Sequence, residues 1–113
     1  MWCNIYGGDD ESLMLRLSCF DLEQLWKDKT VATISAGIDS IAQHFWTCDW
    51  RKCMDGFGIL PTKVIPHYNS DYWSEDLQGP VDWQDVQEEL KKYGDRSFPL
   101  HSLEEGEYIV IEK

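Results

Sequence analysis

The sequence predicts an α/β layered domain. Short runs rich in β-branched and apolar residues alternate with segments of helical periodicity. Glycine, proline and acidic residues sit at the changes between them. With 113 residues, 42% of them hydrophobic and six of them Trp, the chain can build one core, so residues 1–113 read as a single domain.

The elements follow in order. Residues 2–6 (Trp-Cys-Asn-Ile-Tyr) read as a short strand broken by Gly7-Gly8. Asp9-Asp10-Glu11 opens a helix, because acidic side chains complement the dipole of a first turn. Leu13, Leu17 and Phe20 recur on one helical face, widened by Met14. A second short helix starts at Asp21, whose spacing to Gln24 resembles a capping box, and ends near Lys27-Asp28-Lys29. Val31 to Ser35 is a strand. Ile38, Ile41, Ala42 and Phe45 share one face of a helix over 38–45. Trp46 to Met54 is polar and aromatic with no clear period, and Asp55-Gly56-Phe57-Gly58 is a turn. Lys63 to Pro66 reads as a strand ending at His67, and 69–80 as a surface loop. Pro80-Val81-Asp82 begins a helix through Tyr93, with Trp83, Val86, Leu90 and Tyr93 on one face and Gly94 placed to stop it. Glu105-Gly106 is a turn, and Tyr108 to Ile111 a strand.

Composition excludes several functions. Ten basic against 21 acidic residues give a net charge of −11, which opposes binding to nucleic-acid phosphates and to anionic membranes. No apolar run reaches the length of a membrane span or a secretory core, and Met1-Trp2-Cys3-Asn4 has no basic leader. A soluble, cytoplasmic protein is expected. Cys3, Cys19, Cys48 and Cys53 form no C-x-x-C pair, and His44, Cys48 and Cys53 match no common zinc spacing. Neither metal nor cofactor is expected.

The chemistry centres on Thr33-Ile34-Ser35-Ala36-Gly37. A serine between a strand and a helix sits where orphan backbone N–H groups stabilise negative charge, the layout of a nucleophile elbow. His67 also follows a strand, so it falls on the rim that Ser35 occupies. The expected site is Ser35 as nucleophile, His67 as base, and the N–H groups of Ala36 and Gly8 as oxyanion hole. Asp49 is the first candidate to orient His67, with Asp39 and Asp71 as competitors. The acidic run Glu104-Glu105-Gly106-Glu107 reads as a solvated turn.

These residues resemble peptidase E and its relatives, serine hydrolases of the class I glutamine amidotransferase-like fold. The matching pieces are Gly7-Gly8-Asp9 with Leu13, Ile34-Ser35-Ala36-Gly37, Gly56-Phe57-Gly58-Ile59-Leu60-Pro61 and Pro66-His67-Tyr68. The tail from Leu103 to Ile111 resembles the family's terminal hairpin. The resemblance implies a partial three-layer, flavodoxin-like sheet with flanking helices, corresponding to the C-terminal half of the family domain. It implies a Ser-His-Asp/Glu group that cleaves peptide bonds next to aspartate in small peptides, for which Arg51 and Lys63 are the candidate cations. Thr33 stands where the family has glycine, and Ile38 where it has a small residue. Half of a parallel sheet leaves an open edge, so a homo-oligomer or a partner protein covering that edge is expected. The rival function is a non-catalytic acidic interaction module on the same scaffold.

Overall fold

A computed structural model describes residues 2–5, 10–71 and 74–112. Strand β1 (Trp2–Ile5) pairs in parallel with β2 (Thr30–Thr33), from Trp2 opposite Thr30 to Ile5 opposite Thr33. Between them run α1 (Asp10–Leu17) and α2 (Leu22–Leu25). The Asp21 carboxylate caps α2 by accepting from the Gln24 N–H at 3.2 Å. Tyr6 and the Gly7-Gly8 pair lie outside the described residues.

The main sheet has four strands in the order β4 (Lys52–Asp55), β3 (Ala42–Thr47), β5 (Leu60–Ile65), β6 (Leu100–Ser102). β3 runs antiparallel to β4 and parallel to β5, and β5 runs parallel to β6. Helix α3 (Ala36–Ile41) precedes β3, and α4 (Trp83–Lys92) joins β5 to β6. The fold is therefore α/β, a mixed four-stranded sheet flanked by helices in a partial flavodoxin-like arrangement. Among the described residues no helix is long and apolar enough to cross a membrane.

Successive side chains of the two central strands go to opposite faces. Phe45 and Val64 join Ala42 on one face, where Met14 of α1 and Ile38 of α3 pack. Trp46 and Ile65 meet Val86 and Leu90 of α4 on the other. The face predicted for α4 is the face it buries. Asp82 caps its start through the Asp85 N–H, and Gly94 follows its end at φ +62. A Cβ at Gly94 would lie 2.3 Å from His44 Nε2.

Three expectations are corrected. The helix expected over 38–45 stops at Ile41, where Ala42 turns extended (φ −68, ψ 163) and starts β3. Ala42 and Phe45, three residues apart, fit a helical face, and β3 (Ala-Gln-His-Phe-Trp-Thr) is buried almost throughout, so it lacks the alternation of a half-exposed strand. The tail from Tyr108 to Ile111 forms no strand, while Leu100–Ser102, not expected, does. Tyr108 and Val110 are exposed, so the alternation there faces solvent rather than a sheet. Lys63 is no pocket residue. It is 0% exposed, and its ammonium donates to the carbonyls of Leu90 (3.0 Å), Lys91 (3.1 Å) and Tyr93 (2.6 Å) at the end of α4. Those are the orphan acceptors of a helix C-terminus. Burial lowers the Lys63 pKa from its ordinary value.

Proline in a central strand needs a break in the ladder. The β3–β5 register supplies one: Ala42 faces Leu60 and His44 faces Lys63, so β5 carries an extra residue around Pro61.

Candidate active site

Ser35 follows β2 and directly precedes α3. Its backbone stands at φ 53, ψ −123, a region L-residues avoid. That conformation turns the chain sharply from strand to helix and presents the side chain above the sheet. The strain falls on the serine itself. Thr33 stays in the ladder opposite Ile5, and Ile38 packs into the core.

His67 sits just past β5, also at positive φ (58). Its Nε2 lies 3.0 Å from Ser35 Oγ. Its Nδ1 is hydrogen-bonded to the Glu105 carboxylate. A carboxylate only accepts, so the Nδ1 proton is donated to Glu105. In the neutral ring Nε2 is then the acceptor for the Ser35 hydroxyl proton, which is the tautomer a general base requires.

The segment carrying Glu105 is tied to the segment carrying His67. Leu103 N–H donates to Ile65 carbonyl at 2.9 Å, continuing the β5–β6 ladder, and Tyr68 N–H donates to Leu103 carbonyl at 2.9 Å. Asn69 Nδ2 donates to Glu104 Oε1 at 2.7 Å. The turn closes with Glu107 N–H on Glu104 carbonyl, and Gly106 takes the positive φ. The run expected to be a solvated turn is indeed a turn, but one of its carboxylates reaches the histidine. Glu105 remains 65% exposed and His67 20%.

A small cavity of about 40 Å³ adjoins Ser35 and His67, and Ala36, Asp10, Asp39, Cys48, Asp49 and Pro66 complete its described walls. Ala36 is the first residue of α3, so its N–H has no intrahelical acceptor. The second expected oxyanion donor, Gly8, lies outside the described residues. Asp49 stands on the cavity wall, as does its competitor Asp39; Asp71 lies in the exposed loop beyond His67. Burial, and then the charges of Asp39, Asp49 and Asp10, push the Cys48 thiol up to about 12. Cys48 therefore stays protonated and is no rival nucleophile.

Burial raises the Asp39 pKa well above the ordinary 3.8, followed by the charge of Asp10, a hydrogen bond with Asp10 and the charge of Asp49. A second histidine, His44, is also paired with a carboxylate, Asp55, at 2.7 Å. Its ring is wedged edge-on to Tyr93 and Phe98, with no hydroxyl bonded to its other nitrogen among the described residues, and reads as a core residue.

Compared with protein-family models, with curated proteins and with solved structures, the chain matches none of them.

Proposed function

We propose that this chain is a serine hydrolase acting on peptide bonds, with Ser35, His67 and Glu105 as its catalytic group. The observation that carries this reading is the relay at one strained elbow. Ser35 Oγ is 3.0 Å from His67 Nε2, and Nδ1 of the same ring is bonded to Glu105.

In the proposed reaction His67 Nε2 takes the Ser35 proton as Oγ bonds to the substrate carbonyl carbon. The oxyanion faces the Ala36 N–H, with Gly8 as the expected second donor. As the tetrahedral intermediate collapses, the C–N bond breaks and the leaving amine takes the proton back from His67. Water, deprotonated by the same nitrogen, attacks the acyl-enzyme. The carboxylic acid leaves and Ser35 regains its proton. Glu105 fixes the ring and stabilises the imidazolium between these steps.

Cleavage next to aspartate, the finer expectation from the peptidase E resemblance, needs a cation in the pocket. Lys63 serves α4, and Arg51 donates to the Gly79 carbonyl at 2.5 Å. The described cavity walls carry carboxyls instead.

Hydrolysis of a panel of dipeptides and amino-acid p-nitroanilides tests the reading. Turnover that disappears in both Ser35→Ala and His67→Ala supports it. Equal turnover in wild type and Ser35→Ala sinks it.

A second reading, an interaction module acting by protein–protein contact, draws on the exposed side chains Leu15, Phe20 and Leu25 around α1 and α2. Light scattering after size exclusion tests it. A concentration-dependent dimer that Leu15→Glu or Phe20→Glu dissociates supports it. A monomer at all concentrations that captures no partner opposes it.

A further inference from the structure

Two hydrogen bonds made by α4 are not explained by its packing on the sheet. Trp83 Nε1 donates to the Ser70 carbonyl at 3.2 Å, and Gln87 Nε2 donates to Ser102 Oγ at 2.8 Å. Among the described residues of α4, Gln87 is the one polar side chain that is not exposed. Val86 and Leu90 already fill the face that meets the sheet. Packing alone would favour an apolar side chain at position 87.

The topology brings both residues to the site. β5 and β6 are parallel, so the crossover between them carries the chain back, and α4 starts at the end where those strands finish. Lys63 of β5 meets the opposite end of the helix, its last carbonyls. The first turns of α4 therefore stand beside the rim that holds His67 and Glu105. Trp83 and Gln87 are four residues apart, neighbours on one side of the helix.

Each bond lands close to one member of the relay. Ser70 lies three residues after His67, and Ser102 three residues before Glu105. The Trp83 ring is also edge-on to Tyr68, with centroids 5.6 Å apart, so it grips the limb of the base at two points. Glu105 is 65% exposed, so the path of its limb places it rather than burial. The direct tie between the limbs, Asn69 to Glu104, is exposed, where water competes for it. The two α4 bonds are partly buried and constrain their limbs more firmly.

We propose that α4 sets the separation of His67 and Glu105. Trp83 fixes the limb that carries the base, and Gln87 fixes the limb that leads to the carboxylate. Both are positioning residues, touching neither the substrate nor the reacting atoms. Their catalytic consequence rests on the hydrolase reading; their hold on the His67–Glu105 bond does not.

The test compares Trp83→Phe and Gln87→Leu with the wild type. Each keeps most of the side-chain volume and removes the donor. Gln84→Leu, on the exposed side of the same helix, is the control. Two readouts are needed: the rate at which a fluorophosphonate labels Ser35, and the ¹H NMR resonance of the His67 Nδ1 proton. A proton shared between imidazole and carboxylate resonates far downfield, so that signal reports the bond to Glu105 directly. Each variant is expected to slow labelling by about three- to tenfold and to move the resonance upfield, with Gln84→Leu changing neither. Ser102→Ala removes the acceptor of Gln87 and reads the same bond should Gln87→Leu not fold. Wild-type labelling rates with an unmoved resonance overturn the proposal. So does a lowered thermal midpoint with an unmoved resonance, which is the mark of a purely structural role. A wild type that takes no label removes the hydrolase reading, and the resonance alone then decides whether α4 holds the pair.

Discussion

Asp39 and Glu105 are the two residues whose chemistry the surrounding structure decides. Asp39 is protonated more readily folded than unfolded, because burial and the facing groups oppose its charge. Those groups are Asp10 from α1, and Asp49 and Cys48 from the turn after β3, with Ser35 and His67 across the cavity. A carboxyl whose folded pKa is raised binds more protons in the native state. Its contribution is therefore fully present below the ordinary 3.8 and is lost as pH rises towards the raised value. Urea denaturation should show stability falling over that window, and Asp39→Asn, which removes the titrating group, should flatten the fall. Glu105→Gln keeps the side-chain length but gives Nδ1 no charged acceptor. Turnover should fall by roughly 10- to 1,000-fold, less than for Ser35→Ala, because Glu105 is largely exposed. Steady-state kinetics with the best p-nitroanilide reads that difference. Ser35 was legible because a strand-to-helix polarity change marks it. Glu105 was not, because its carboxylate sits among three glutamates in a short acidic run, and nothing in that run distinguishes one from another.

At the scale of elements, two contacts hold the site's scaffold. Lys63 ties β5 to the end of α4 by satisfying its last carbonyls. Lys63→Met keeps the stem and removes the donors. It should cost on the order of 2–4 kcal/mol, seen as a shift in the urea midpoint. Gly56 lies against the α3–β3 junction, where a Cβ would come within 2.2 Å of Ala42 carbonyl and 2.5 Å of Asp39 carbonyl. Gly56→Ala therefore forces backbone apart beneath the cavity. A loss of about 1–3 kcal/mol is expected from thermal denaturation. The amphipathic α4 was readable from its period, its Asp82 cap and Gly94. β3 was not, since its residues satisfy a helical face equally well until the neighbouring strands bury both its sides. β6 escaped notice for a related reason. It is short, and its pairing with β5 is set by tertiary contact rather than by alternation.

Across the whole molecule, the β5–β6 pairing is what assembles the site. It carries the chain from Ile65 to His67 beside the chain from Ser102 to Glu105, while β2 delivers Ser35 from the other side. Residues far apart in sequence thus meet at the ends of parallel strands, where α/β sheets place their active sites. On this geometry Ser35 should be an activated nucleophile. Exposure of the purified chain to a fluorophosphonate, followed by intact mass and peptide mapping, tests it most directly. A single adduct on Ser35 is expected, slowed in Glu105→Gln and lost in His67→Ala. An unmodified protein, or an adduct on any other residue at the same rate in His67→Ala, would contradict it.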